Sequence, residues 1–240
     1  MAFDQWASTY ELFEGETARE TWRTGILADL SAVLPSGGEI LDVGAGTGIG
    51  GRVLAAELPG ARVTSLDRSA EMLRIGGITQ DLAIVADMAD FDLPARFDAV
   101  VSGFDALNYL RLAELCGFMT CASRCLRPGG HVIFDYSTAR VLREDWGHLE
   151  TQSRTGGLTL CRRHHYDELL ERSETVLTLL EDDQPRWQEV HVQYAYDSYQ
   201  ILCAARRADL TVLNVRSIDG GHFTPDTTTH VYRLRKNGGS

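Results

Sequence analysis

The chain has 240 residues, of which 44% are hydrophobic and 24% are charged, values typical of a globular enzyme with one large core. Its 34 acidic and 23 basic residues give a net charge of −11, which disfavours nucleic acid or another polyanion as a partner. No apolar run reaches the roughly 18 residues that a membrane helix needs, and the acidic, polar start does not resemble a secretory signal. We therefore expect a cytoplasmic protein without a membrane partner.

Two amphipathic helices are predicted at the start of the chain, at about residues 3–13 and 17–34. From about residue 40 to residue 136, short apolar runs alternate with helical stretches, which indicates βαβ units and a parallel sheet. The predicted strands are 40–43, 62–66, 83–86, 97–101 and 131–134, and the predicted helices lie near 48–58, 69–76 and 111–126. The Arg-Pro-Gly-Gly sequence at 127–130 predicts a turn before the fifth strand.

The pattern changes after the fifth strand. Segments 158–166, 174–180 and 187–196 are extended and are separated by charged turns, which predicts an antiparallel insertion. A helix near 197–209 and strands near 211–216 and 229–235 follow. We therefore predict an α/β fold, with a Rossmann-like, doubly wound and mostly parallel sheet, an antiparallel β lid insertion and N-terminal helices.

A glycine-rich turn follows the first predicted strand. Gly44, Gly46 and Gly48 come directly after Val43, and glycines at such a turn let a nucleotide-type ligand approach backbone N–H groups without interference from Cβ atoms. Gly46 and Gly48 also begin a G-x-G-x-x-G pattern, which leaves a dinucleotide site open as an alternative. A plain structural turn is the other alternative.

Two carboxylates end the next two predicted strands. Asp67 lies 19 residues after Gly48, where a carboxylate can accept hydrogen bonds from both ribose hydroxyls, and Asp87 ends the third strand beside Met88. Open α/β sheets bind ligands at this carboxyl edge, so the combination predicts a nucleotide-type site. Asp67 as a helix N-cap and Asp87 in a solvated turn are the competing interpretations.

Five segments resemble a known family. ILDVGAGTG (40–48), SLDRSAEML (65–73), IVADMADFDL (84–93), FDAVVSGFDALNYL (97–110) and LRPGGHVIFDYST (126–138) look like the successive motifs of class I S-adenosylmethionine-dependent methyltransferases. The later motifs disfavour the dinucleotide alternative. The flanking segments are similar to bacterial small-molecule methyltransferases, among them the glycine N-methyltransferase-like and aminosugar N-methyltransferase-like enzymes.

The resemblance implies S-adenosylmethionine as the cofactor, bound by a domain formed from residues 1–142 and 197–236, with 143–196 as the lid. The residues that it implies for cofactor binding are Tyr10, Trp22, Asp42, Gly44, Ala45, Gly46, Asp67, Arg68, Asp87, Met88 and Ser102. The glycine loop would wrap the methionine moiety with Asp42 supporting it, and Ser102 would lie near the same moiety. Asp67 would bind the ribose and Asp87 the adenine, with Arg68 and Met88 beside the adenine. Tyr10 and Trp22 would close over the cofactor.

Candidate residues for binding the methyl acceptor, or for taking a proton from it, lie at the strand ends and in the lid. Glu189, His191 and Gln193 alternate onto one face, so His191 is a candidate base, with a purely structural histidine as the open alternative. His222, in a glycine-containing loop, is the second candidate base. The residues expected to contact the acceptor are Asn108, Tyr109, Tyr136 and Phe223. The adjacent His164 and His165 are expected to face opposite ways, with at most one pointing inward.

The function expected from these features is methyl transfer from S-adenosylmethionine to an N, O or C nucleophile of a small molecule, in bacterial secondary metabolism. A macromolecule methyltransferase is the first alternative, but it would favour a basic groove or an Asn-Pro-Pro-Tyr-type motif, where this chain has Ser-Gly-Phe-Asp at 102–105. A cofactor-binding protein without methyl transfer is the second alternative. The five cysteines lack C-x-x-C spacing, and no metal site is expected.

Overall fold

The computed structural model describes residues 3–94, 96–224 and 226–238. Its strands are β1 (Glu39–Val43), β2 (Arg62–Asp67), β3 (Ala83–Val85), β4 (Phe97–Ser102), β5 (Leu126–Ser137), β6 (Glu150–Thr155), β7 (Leu158–Asp167), β8 (Arg172–Glu181), β9 (Gln184–Tyr194), β10 (Leu210–Ser217) and β11 (Thr229–Lys236). Its helices are α1 (Ala7–Trp22), α2 (Ala28–Ser31), α3 (Ile49–Glu57), α4 (Ala70–Ile75), α5 (Leu112–Cys125) and α6 (Ser198–Arg207). Among these residues no helix is both long and apolar enough to cross a bilayer.

The N-terminal region is one continuous helical segment. A π-helical turn (Arg23–Leu27) joins α1 directly to α2, so the predicted division into two helices near residues 14–16 was wrong. Gly15 lies buried inside α1 instead of ending it. A glycine inside a helix costs only about 1 kcal/mol relative to alanine. Packing of Trp22 and Ile26 into the core outweighs that cost.

Seven strands form the central sheet, in the order β10-β11-β5-β4-β1-β2-β3. β1 to β5 pair in parallel, and β11 pairs antiparallel with β5 and β10. Successive side chains of β1 point to opposite faces of the sheet: Ile40 packs with the N-terminal helical segment on one face, and Leu41 packs with α5 on the other. The sheet is therefore covered on both faces, as the predicted fold class requires.

The turn predicted at 127–130 lies within β5. The pairing of β4 with β5 moves from Phe97 opposite Leu126 to Ala99 opposite His131, so the four residues between Leu126 and His131 have no partners in this ladder. Gly129 adopts a positive φ of +76° within this interruption. Gly129 and Gly130 thus interrupt the hydrogen-bonded ladder between β4 and β5 without ending β5.

A second, four-stranded antiparallel sheet has the order β6-β7-β8-β9 and stands apart from the central sheet. Three of its strands match the predicted extended segments. β6 was not predicted, because its sequence ETQSRT has no apolar residue to produce a hydrophobic pattern. Leu160, Leu177 and Leu179 of this sheet pack against Trp6 and join it to the N-terminal segment.

Candidate functional site

The glycine loop connects β1 to α3 through left-handed backbone. Gly44, Gly46 and Gly48 have φ values of +73°, +55° and +76°, a region that favours glycine. A Cβ on Gly44 would lie 3.0 Å from the Met88 Cε atom, and a Cβ on Gly50, in the first turn of α3, would overlap the Trp22 indole. The loop is therefore built from glycine both for its conformation and for the close approach of its neighbours.

A cavity of about 370 Å³ opens at the carboxyl edge of the sheet beside this loop. The predicted cofactor residues that line it are Tyr10, Trp22, Gly44, Ala45, Gly46, Asp67, Arg68, Asp87 and Met88. Asp42 and Ser102 do not line it. The Ser102 hydroxyl is buried and donates a hydrogen bond of 2.8 Å to the Val43 carbonyl. Ser102 thus lies beside the loop, 3.9 Å from where a Cβ on Gly44 would stand, but its hydroxyl is used to hold the strand that leads into the loop, and its place near the cofactor stays a prediction.

Asp67 is fixed by two backbone donors. One carboxylate oxygen accepts the Gly46 N–H at 2.8 Å and the other accepts the Ser69 N–H at 2.8 Å. Each oxygen keeps a second lone pair for a further donor. The N-cap of α4 is Ser69, whose Oγ accepts the Met72 N–H, so Asp67 itself is not the helix cap. Burial raises the pKa of Asp67, which makes additional donors to its carboxylate favourable.

Asp42 lies beneath the loop and is fully buried. Burial, together with the nearby charge of Asp67, raises the pKa of Asp42 to about 8. Its side chain therefore carries a proton at neutral pH, which avoids the cost of a second buried negative charge. This arrangement agrees with the predicted supporting position of Asp42 and keeps Asp67 as the charged group at the cavity.

Asp87 and Met88 lie at the rim of the cavity. The Asp87 carboxylate is exposed and accepts the N–H of Ala89 at 2.9 Å, which is the geometry of a solvated turn. Met88 packs partly buried against the core. The structure thus places both residues at the cavity, while the turn also accounts for the position of Asp87.

A second cavity of about 520 Å³ lies between the central sheet, α1 and the antiparallel sheet. Its polar lining includes Glu14, Asp135, Arg162, His164 and Gln193. The two cavities share one wall, formed by Trp6, Phe104, Asp105, Tyr109 and His191. Of the predicted acceptor-side residues, Tyr109 and His191 therefore lie where the two cavities meet.

His191 is buried, and both of its ring nitrogens are engaged. Nδ1 lies 3.2 Å from the Tyr109 hydroxyl, and Nε2 lies 3.1 Å from the Glu189 carboxylate. That carboxylate also accepts the backbone N–H groups of Phe3 and Gln5. Burial lowers the pKa of His191 despite the adjacent carboxylate, so the ring is neutral at pH 7. This geometry fits the structural alternative better than the role of a free base.

Four other predicted residues line neither cavity. The Asn108 side chain donates to the carbonyls of Ser137 and Tyr194, and the Tyr136 hydroxyl donates to the same Tyr194 carbonyl. Both side chains are therefore used to hold β9 against the central sheet. His222 and Phe223 are exposed and follow a turn in which the Ser217 N–H donates to the Gly221 carbonyl. The structure therefore does not bring Asn108, Tyr136, His222 and Phe223 to the two cavities, and their assignment to the site stays a prediction.

Sequence reasoning missed Asp105 and Asp135. Asp105 follows β4 closely and lines both cavities, whereas Asp135 lies in β5 and lines the second. Both residues lie in segments that resemble the methyltransferase motifs, and the carboxylate-at-a-strand-end pattern that identified Asp67 and Asp87 was the signal that could have found them. His164 also lines the second cavity, while His165 is exposed, which confirms that only one of the pair faces inward.

Comparison with known proteins identifies the family. Residues 15–177 match the family model described as a methyltransferase domain. The chain is 31% identical over 144 residues to a ribosomal RNA small subunit methyltransferase G of Burkholderia pseudomallei, and the match spans 53% of this chain and 59% of that relative. The match thus covers less than two thirds of the relative's length.

Two solved structures share the fold. An S-adenosylmethionine-dependent methyltransferase from Clostridium acetobutylicum superposes with a TM-score of 0.81 at 17% identity, covering 99% of this chain and 100% of that chain. The S-adenosylmethionine-bound amino pentose methyltransferase CalS10 from Micromonospora echinaspora has a TM-score of 0.66 at 21% identity, covering 88% and 89% of the two chains. The chain therefore belongs to the methyltransferase domain family, and the Rossmann-like fold predicted from its sequence is confirmed.

Proposed function

We propose that the protein transfers a methyl group from S-adenosylmethionine to a small molecule held in the second cavity. One observation carries this proposal: the cavity beside the glycine loop and the cavity beneath the antiparallel sheet meet at a common wall that includes Asp105, Tyr109 and His191. Methyl transfer needs a donor and an acceptor held in contact and away from water. Two adjoining cavities supply that arrangement.

The residues of the first cavity fit the cofactor. The left-handed backbone at Gly44 and Gly46 presents no Cβ toward the cavity, and the carboxylate of Asp67 keeps lone pairs for two hydroxyl donors. Trp22 and Met88 supply apolar surface to the cavity, Met88 beside Gly44 and Trp22 beside Gly50. A cavity with a polar carboxylate, an open backbone cradle and aromatic walls suits a nucleoside joined to an amino acid.

When bound, the cofactor supplies a methyl group on a positively charged sulfur, which is already activated for displacement. The chain is therefore needed mainly for orientation and exclusion of water. Asp67 and the glycine loop fix the donor side, and the shared aromatic wall, with Trp6 and Tyr109, separates the junction from solvent. The pKa of Tyr109 is raised well above its ordinary value by burial, so its hydroxyl stays protonated.

The four-stranded sheet is proposed as the lid of the acceptor site. It supplies Thr151, Arg162, Thr175 and Gln193 to the second cavity and is anchored to the N-terminal segment through Glu189. Enclosure by this sheet and the net charge of −11 support a small molecule rather than RNA as the acceptor. The amino pentose methyltransferase among the structural neighbours is described as taking part in calicheamicin biosynthesis, and we place this chain in secondary metabolism by analogy.

The test is a transfer experiment with the full chain and S-adenosylmethionine carrying a tritiated methyl group. Purified 30S ribosomal subunits and a fractionated bacterial small-molecule extract serve as the two acceptor pools. We expect label in the small-molecule pool, with a mass increase of one methylene unit, and none in RNA. Label confined to RNA, or no transfer to either pool, contradicts the proposal. The Asp67→Ala variant is the negative control.

A further inference from the structure

Asp105 is held in place by a constrained turn. Phe104 and Asp105 both adopt left-handed backbone, with φ values of +59° and +50°, which is uncommon for residues other than glycine. The two oxygens of Asp135 accept the N–H groups of these residues, at 2.8 Å from Phe104 and 2.7 Å from Asp105. Asp135 thus stabilises the turn, and the turn fixes the Asp105 side chain at the wall between the cavities.

The second cavity carries an excess of carboxylates. Glu14, Asp105 and Asp135 line it, and Glu14 is paired with the Arg162 guanidinium. Burial and the charge of Arg162 lower the pKa of His164, so this histidine does not neutralise the others. Within the described residues, no lysine, arginine or histidine forms an ion pair with Asp105 or Asp135.

Of these carboxylates, Asp105 is the one that faces both cavities. Both Asp135 oxygens are bonded to backbone amides, whereas the Asp105 carboxylate is bonded by side chains, the Gln193 amide at 2.9 Å and the Ser137 hydroxyl. Burial and the neighbouring Asp135 raise the pKa of Asp105 to about 7. A buried carboxylate without a cationic partner is costly. A ligand cation beside Asp105 would remove that cost.

We propose, building on the proposed function, that the acceptor is an amine that enters as its ammonium ion, binds to the Asp105 carboxylate and is methylated on nitrogen. Asp105 is the one carboxylate among the described residues that lines both cavities. His191 is already bonded at both nitrogens, and Glu14 is already paired. The geometry therefore gives Asp105 the role of contacting the reacting nitrogen.

The proposed step balances in protons and electrons. The ammonium R–NH₃⁺ transfers one proton to the Asp105 carboxylate, which leaves R–NH₂ with a free electron pair and Asp105 as a carboxylic acid. The nitrogen pair then forms the new N–C bond while the C–S bond breaks and its electron pair goes to sulfur. The product is R–NH₂⁺–CH₃, and the neutral thioether remains on the cofactor side. Asp105 returns its proton to solvent when the product leaves.

A binding experiment tests the ammonium site without knowledge of the natural acceptor. The probes are three matched pairs, cyclohexylamine and cyclohexanol, benzylamine and benzyl alcohol, and phenethylamine and phenethyl alcohol, added to the full chain saturated with S-adenosylhomocysteine. Calorimetry and thermal shift report binding. We expect at least one amine to bind about tenfold or more tightly than its alcohol, since a charge-assisted hydrogen bond contributes that much. Equal response within every pair, including no response at all, overturns the proposal.

Asp105→Asn is the decisive variant, because asparagine keeps the size of the side chain and tolerates the left-handed backbone. It should reduce the amine preference to within threefold of the alcohol, while S-adenosylhomocysteine affinity changes by less than threefold. Asp92→Asn is the matched control, since it removes the same charge from a side chain that is 90% exposed. We expect Asp92→Asn to leave both the amine preference and the S-adenosylhomocysteine affinity unchanged. An amine preference that survives in Asp105→Asn overturns the role of Asp105.

The two proposals fail in distinguishable ways. If wild-type protein does not bind S-adenosylhomocysteine, or transfers no methyl group to any acceptor, the proposed function itself is wrong. If methyl transfer occurs but mass spectrometry places the new methyl group on oxygen or carbon, the proposed function stands and the ammonium site is wrong. Methylation on nitrogen that falls at least a hundredfold in Asp105→Asn supports both.

Discussion

Replacing Asp67 with alanine removes the carboxylate at the end of β2 and tests the donor side of the site. Hydrogen bonds to a charged group contribute about 1.5–3 kcal/mol each. Loss of one such bond to the cofactor weakens binding about tenfold to a hundredfold, and loss of two weakens it further. The variant also leaves the N–H groups of Gly46 and Ser69 without their 2.8 Å acceptor, so the loop that cradles the ligand is less ordered.

The assay is calorimetric titration of S-adenosylhomocysteine into folded wild-type and variant protein. Because Asp67 is not fully buried, water can replace part of the hydrogen bonding that the Gly46 and Ser69 amides lose in Asp67→Ala. We therefore expect the free energy of unfolding of this variant to be only about 1–2 kcal/mol below that of the wild type. Asp87→Ala is the matched control, since the exposed Asp87 carboxylate accepts a single loop amide. It should weaken binding less than tenfold. Unchanged affinity in folded Asp67→Ala would refute the assignment of Asp67.

Three further outcomes are expected. His191→Ala should lower the free energy of unfolding by about 1–3 kcal/mol, because two buried hydrogen bonds are lost; an unchanged melting temperature with a hundredfold slower single turnover would instead restore its role as a base. The pKa of Asp42 is raised to about 8 from an ordinary value near 4, so the native state keeps a proton that the unfolded state releases, and stability should fall as pH rises from about 4 to 8. Asp105 and Asp135, with pKa values raised to about 7 and about 6, contribute a slope of the same sign. Asp42→Asn should therefore reduce this slope in melting temperature against pH, most clearly between about pH 7 and 8, and an identical slope would contradict the buried proton. Ligand should slow hydrogen exchange in residues 150–194 more than in 39–43 if the second sheet is a lid, and equal protection would count against a lid.

The central sheet was predictable because its signals are local. The first two parallel strands are short apolar runs that end at Val43, directly before Gly44, and at Asp67, and buried parallel strands require such runs. The donor-side residues follow from this, since the strand ends fix where the loops meet. Nine of the predicted cofactor residues accordingly line one cavity.

The acceptor side was less predictable because its residues are brought together by long-range contacts. Asn108 and Tyr136 look like free polar groups in sequence, but the carbonyl of Tyr194, far along the chain, takes a hydrogen bond from each of them. Likewise, the His191 ring is bonded to the Glu189 carboxylate, which accepts from Nε2, and to the Tyr109 hydroxyl, which is 82 residues away in the chain. A sequence pattern can place a residue on a face, but it does not show which of its polar atoms are already engaged.

The central claim is that two adjoining cavities, which share Asp105, Tyr109 and His191 as lining residues, hold the methyl donor and the acceptor in contact. Its most direct test is a crystal structure of the full chain with S-adenosylhomocysteine. We predict that the ribose hydroxyls contact Asp67 and that the sulfur faces the junction at Asp105 and Tyr109. A sulfur atom directed away from the second cavity, or a ligand bound outside the first, would contradict the account.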